Sequence, residues 1–212
     1  MTHSAAKSTS IGSVAAMDQE DRRLAQTIET AFARCFARDY NTQLIGGAVE
    51  PLYQPASATQ PARLLYREDF PASALHEVAH WCVAGDARRQ LEDFGYHYIA
   101  GPRTPDQQDA FFALELWAQS LEKQFAQAAG LDFIPSADNL LADSAGFGQA
   151  IDAYESRLLE WLASPAGSRA RRFIQSLKRS FSTGRETLRS EVDQVERSIP
   201  MAGSAHRGRS VD

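Results

Sequence analysis

From Asp21 onward, apolar side chains return every three or four positions: Leu24, Ile28, Ala31, Phe32, Cys35 and Phe36. That period predicts an amphipathic helix with one face turned to a core. Two short runs bounded by Gly and Pro, PLYQP around residue 53 and ARLLYRE at 62–68, read as strands. The next segment, SALHEVAHWCVA, reads as a helix with Ser73 as N-cap and Gly85 as its stop. Asp86 is placed to cap a further short helix, DARRQLEDFG, and GYHYIAGP reads as a third strand running into a turn. The longest helix opens at Thr104-Pro105-Asp106-Gln107, where Thr104 and Gln107 form a capping-box pair and proline takes the first helical position. It should run to about Ala129 and end at Gly130. DNLLAD at 138–143 reads as a connection, and residues 147–163 and 168–180 as two more amphipathic helices.

At both ends the periodicity fades. Residues 1–20 are rich in Ser, Ala and Thr and read as a disordered tail; 21–182 form the domain; 183–212, rich in Arg, Ser and Glu, read as a charged, flexible tail. Met17, just ahead of DQEDRR, offers an alternative start. The 212 residues are enough for one well-buried domain. A net charge of −5 argues against a general nucleic-acid binder, whose surface is normally basic. No apolar run is long enough to span a bilayer, and the N-terminus lacks the cationic start and apolar core of a secretory signal. Cys35 and Cys82 stand in no metal-ligand spacing and read as small buried apolar residues, which places the chain in a reducing cytoplasm.

The candidate chemistry lies in HEVAH, residues 76–80. On a helix, residues i and i+4 project about 40° apart, so His76 and His80 can aim ring nitrogens at one metal ion. Glu77 lies about 100° further round, where a zinc peptidase would use it as general base on a metal-bound water. The bland alternative is two histidines bonded to carbonyls or solvent. A third ligand decides the chemistry. Metzincins require Gly and His where this chain has Val83 and Asp86, which excludes them. In the long helix Phe111, Leu114, Ala118, Leu121, Phe125 and Ala129 form an apolar arc, and Glu115 and Glu122 both fall on its shoulder. A carboxylate facing a core is costly unless paired or metal-bound. Either glutamate could instead pair with Arg88 or Arg89, or reach solvent. Two histidines and one carboxylate with open positions also describe non-haem Fe(II) oxygenases, so ligand type alone does not separate a hydrolase from an oxygenase. His97, beside tyrosines in GYHYIA, reads as a packing or hydrogen-bonding residue.

The stretch from Asn41 to Tyr98, NTQLIGG…EPLYQPA…ASALHEVAHWCVAGDARRQLEDFGYHY, resembles the bacterial elongation factor P hydroxylase family. The likeness continues through LEL around Glu115, AAG at 128–130 and DNL at 138–140, and covers about residues 22–180. HE-x-x-HW-C, AG-x-ARR and DFGY together are far more specific than H-E-x-x-H alone. The resemblance implies an α+β fold, a small sheet packed with several helices in a single compact domain, similar to a bacterial metal-dependent ribonuclease fold. It implies a non-haem Fe(II) hydroxylase with O2 as co-substrate, whose protein substrate is the β-lysylated lysine of elongation factor P. His76 and His80 match the family's histidine pair, and Glu115 matches its carboxylate. A cationic substrate calls for carboxylates around the site, and Glu92, Asp93, Asp138 and Asp143 are the candidates. The electron donor is not legible. Arg63, Arg67, Arg88, Arg89 and Arg103 cannot be ranked as a 2-oxoglutarate clamp. Two other readings remain open: a metal-dependent hydrolase (peptidase or ribonuclease) with Glu77 as base, and a non-catalytic, metal-stabilised partner of the translation machinery.

Overall fold

In the computed structural model, residues 5–96, 104–135 and 144–198 are described. The chain begins with α1 (Ala5–Tyr40), followed by three strands, β1 (Thr42–Ala48), β2 (Leu52–Gln54) and β3 (Ala62–Arg67). Five helices follow: α2 (Pro71–Val83), α3 (Pro105–Ala129), α4 (Ser144–Ala153), α5 (Glu155–Ala163) and α6 (Ser168–Ser198). The sheet order is β1-β3-β2, with β3 parallel to β1 and antiparallel to β2. Helices and a small mixed sheet share one core, so the fold is α+β and a single compact domain. No described helix is long and apolar enough to cross a membrane.

The expected face of α1 is the buried one. Ile28, Ala31, Phe32, Cys35 and Phe36 are buried, and Leu24 is partly so. The helix itself extends upstream to Ala5, with residues 16–20 exposed and core contacts starting at Leu24 and Ala25. Likewise, α6 continues past residue 182 to Ser198. Trp81 of α2 is fully buried among Phe32, Phe36 and Tyr40, with ring centroids 5.4, 4.7 and 5.3 Å away. Phe173 of α6 closes this cluster against Phe32, Phe36 and Phe125. Burying each such ring contributes about 1.5–3 kcal/mol. The result is that α2 is held centrally, packed on α1, β3, α3 and α6. Both cysteines are buried and free.

Several local expectations are corrected. Ser73 does not cap α2. Phe70 is the N-cap and Pro71 starts the helix, while the Ser73 hydroxyl accepts from the Arg67 amide at 3.0 Å and ties α2 to the end of β3. The segment after α2 is not a helix but two 3-10 turns, Arg88–Gln90 and Glu92–Gly95. Asp93, Phe94 and Gly95 all take positive φ there, which a right-handed helix cannot accommodate. The bend buries Phe94, stacked on Tyr53 at 4.4 Å. The helix expected over 147–163 breaks at Tyr154 into α4 and α5. β1 was unexpected: its Gly46-Gly47 pair disguises a strand. Gly46 is required because a Cβ there would lie 2.6 Å from the Tyr66 hydroxyl. The expected strand over GYHYIAGP and the DNLLAD connection lie largely or wholly outside the described residues.

The long helix follows expectation. Thr104 caps α3, both capping-box bonds to Gln107 are present, and Gly130 ends it in the left-handed conformation. Ala118, Leu121, Phe125 and Ala129 are fully buried. This places the shoulder of α3, with its two glutamates, against α2.

Candidate metal centre

The two histidines project from the middle of α2 toward α3. The His76 and His80 Nε2 atoms are 3.0 Å apart. Glu115 of α3 brings Oε1 to 3.3 Å from His80 Nε2 and Oε2 to 3.7 Å from His76 Nε2. Gln119, one turn along α3, donates to Glu115 Oε2 at 3.1 Å and fixes its orientation. Among the described residues this is the only group of three side chains able to hold a metal ion. Two neutral imidazoles and a carboxylate suit divalent first-row metals. Separations of 3.0–3.7 Å are those of donors sharing one ion at about 2.0–2.2 Å, so the residues present fit such an ion.

Glu122 does something the sequence did not reveal. Its side chain is 9% exposed, and Oε2 accepts from His76 Nδ1 at 2.8 Å, on the far edge of the ring from Nε2. With Nδ1 carrying the proton, Nε2 is left with a lone pair facing His80 and Glu115. With an ion at Nε2 this would be the carboxylate–histidine–metal arrangement that orients a ligand and raises its basicity. The two shoulder glutamates of α3 thus take the two edges of one imidazole.

The electrostatics follow from burial and pairing. Burial alone would lower the His76 pKa, but the bonded Glu122 carboxylate, with the charges of Glu115 and Glu77, lifts it to about 10. Burial would raise Glu115, but the hydrogen bond and charge of His80, with His76 and Gln119, hold it at about 2. Burial keeps the Glu77 carboxyl above the usual range, against the opposing pull of His76 and His80. A metal-free centre at neutral pH therefore carries a proton on His76 that an ion must displace. Because this folded-state pKa is raised, the competing proton persists until the pH nears 10. Metal affinity is expected to climb with rising pH until it nears 10, by up to about tenfold per unit for the His76 proton released. Titration against a chromophoric chelator would show it; a flat profile would mean that His76 holds no such proton.

The other anticipated residues scatter. Glu92 is exposed. Asp93 is engaged within the chain, accepting from the Tyr53 amide at 2.9 Å. Asp138, Asp143, His97 and Arg103 lie outside the described residues. Arg63 donates to Gln54, and Arg88 to the Phe94 carbonyl while stacking on Tyr96. Arg89 bonds Asp86 and the Ala84 carbonyl. Neither Arg88 nor Arg89 pairs with Glu115 or Glu122 among the described contacts. Arg89 acts instead with Arg169 of α6, which donates to the Cys82 and Ala84 carbonyls at 3.0 and 2.5 Å. Both guanidinium groups lie over the Trp81 ring, at 5.4 and 5.1 Å. Two cations thus satisfy the negative, C-terminal end of the helix that carries the histidines. No local sequence signal connects Arg169 to that end.

Two imidazoles and one carboxylate, presented by two packed helices of an α+β domain, form the donor set of the two-histidine, one-carboxylate metal enzymes. A family model described as elongation factor P hydroxylase matches residues 31–191. The elongation factor P lysine hydroxylase of Haemophilus influenzae is 44% identical over 130 residues, which is 59% of this chain and 73% of that protein. The chain belongs to the elongation factor P hydroxylase family.

Proposed function

We propose that this chain is an iron-dependent hydroxylase of the β-lysylated lysine of elongation factor P, with Fe(II) held by His76, His80 and Glu115 and O2 as co-substrate. The observation that supports it is the convergence of those three donors in a member of this family. Bound there, Fe(II) would supply the reductive activation of O2. Overall, a substrate C–H bond is replaced by C–OH, and an external two-electron donor with two protons takes the second oxygen atom to water. The chain's own residues hold and orient. Glu122 fixes the His76 ring through Nδ1, Gln119 steadies Glu115, and the Trp81 cluster with Arg89 and Arg169 anchors α2. Exposed Glu92 is available to the cationic substrate arm, whereas one oxygen of Asp93 is already committed to Tyr53.

The test is intact-mass analysis of β-lysylated elongation factor P after incubation with the iron-loaded chain, O2 and a reductant. A gain of one oxygen that requires both iron and O2 is expected; no gain, with cleavage of peptide or RNA instead, would overturn the reading. Glu77 separates the two chemistries. As general base of a hydrolase its loss would cost about 100-fold or more. Here Glu77→Gln is expected to retain metal and measurable hydroxylation, as read by metal content and product mass. Complete loss of turnover with metal intact would count against this division of roles.

A further inference from the structure

A groove of about 350 Å³ opens beside the metal centre, between the start of α2, the first core-contacting turn of α1, and the end of α3 with its following loop. Its walls are apolar, formed by Leu24, Phe70, Leu75, Ala126, Leu131 and Ile134. Three carboxylates, Asp21, Glu122 and Asp132, lie along it, and no lining residue is basic. Glu122 is committed to His76, which leaves the charges of Asp21 and Asp132 to set its acidic character. The nearby cations are spent elsewhere: Arg22 on Asp69 at 3.0 Å, Arg23 on Glu20 at 2.7 Å, Lys123 on Asp152 at 2.7 Å. Asp21 and Asp132 have no ion-pair partner among the described residues. The rim is unusually apolar. Phe70 is 42% exposed and Ile134 82%, and Met17, 65% exposed, stands one turn upstream of Asp21 on the same face of α1. Large exposed apolar side chains gathered around a charged groove mark a protein-binding surface.

We infer that this groove docks the segment of the elongation factor that flanks the modified lysine, and that the docked segment is of mixed apolar and basic character. The inference rests on the proposed function. Charge complementarity selects the occupant: an acidic, base-free channel with an apolar floor favours cationic, partly apolar chain over an anionic ligand. Position supports it. The groove reaches Leu75 and Glu122, the immediate sequence neighbour and the hydrogen-bond partner of His76. It therefore approaches His76 from the Nδ1 side, through Glu122 and without being lined by the ring itself, while the donors converge at the Nε2 edge. A chain lying in the groove passes beside the centre, and a long lysine-derived side chain has to bridge past one imidazole ring.

The test uses Asp21→Lys/Asp132→Lys and, as a second variant that cannot disturb the core, Ile134→Ser. Leu159→Ser, an exposed apolar position on α5 (51%), is the control. Binding of labelled elongation factor P to the iron-loaded chain is read by anisotropy under argon, and steady-state hydroxylation in air. The charge reversal is expected to weaken binding and raise KM at least about tenfold, with the salt dependence of binding reduced. Ile134→Ser should shift both in the same direction, and Leu159→Ser neither. Binding and KM unchanged in both groove variants, with wild-type turnover intact, would overturn the groove and leave the proposed function standing. Absence of any wild-type binding would overturn both. A change of oligomeric state in Ile134→Ser without a change in KM would reassign the rim to self-association and also overturn it.

Discussion

Replacing either His76 or His80 with alanine is expected to abolish hydroxylation and reduce iron to trace content, while the chain stays folded. Each histidine supplies one of two imidazoles on α2, and the remaining two donors cannot hold Fe(II) against solvent. Neither ring belongs to the hydrophobic core, and both sit at its edge with side chains 22% and 13% exposed. Alanine is moreover the strongest helix former, so α2 should persist. The two variants should differ in stability, however. His76→Ala strands the buried Glu122 carboxylate without its partner, which costs about 3 kcal/mol. His80→Ala leaves Glu115 with Gln119 still bonded. Circular dichroism melts, metal analysis and the hydroxylation assay read these effects separately. Normal turnover with stoichiometric iron in either variant would remove the site as described.

The two glutamates of α3 should behave differently in kind. Glu115→Ala removes a donor, so iron affinity and activity should fall together to near background. Glu122→Ala removes only the group that orients His76, and the expected loss is about 10–100-fold in metal affinity or activity. In a metal-bound structure a Glu115 oxygen should lie at about 2.0–2.2 Å from the ion, by analogy with Zn–carboxylate bonds. A structure in which Glu122 completes the site and Glu115 turns to solvent would reverse these roles.

What could be read from the sequence was whatever local chemistry determines. The Thr104/Gln107 box and Gly130 delimit α3 without reference to any other part of the chain, and the HEVAH spacing forces two histidines onto one face. Elements shaped by distant contacts were opaque. β1 looks like a loop until Tyr66 is seen to demand Gly46. The break at Tyr154 and the left-handed turn at Asp93–Gly95 come from packing, the latter to seat Phe94 on Tyr53. Ser73 is a good cap in isolation, but Pro71 starts the helix earlier and frees its hydroxyl for Arg67. Helical spacing alone did not separate Glu115 from Glu122, since both lie on one shoulder of α3; the family resemblance was what put Glu115 ahead. Only the crossing of α2 decides which edge of His76 each one meets.

Glu115 and Glu122 are seven residues apart, two turns of α3, and both address the same ring. The span between them therefore acts as a ruler whose length is fixed to the residue. An insertion or deletion there would turn everything beyond it by about 100° and shift it by about 1.5 Å along the axis. One carboxylate would leave His76 while the other stayed. Substitutions on the solvent side of these two turns are permissible, but changes in length are not. In homologous chains of divergent sequence, gaps should accumulate in the connections on either side of α3 and stop at its seven-residue interior.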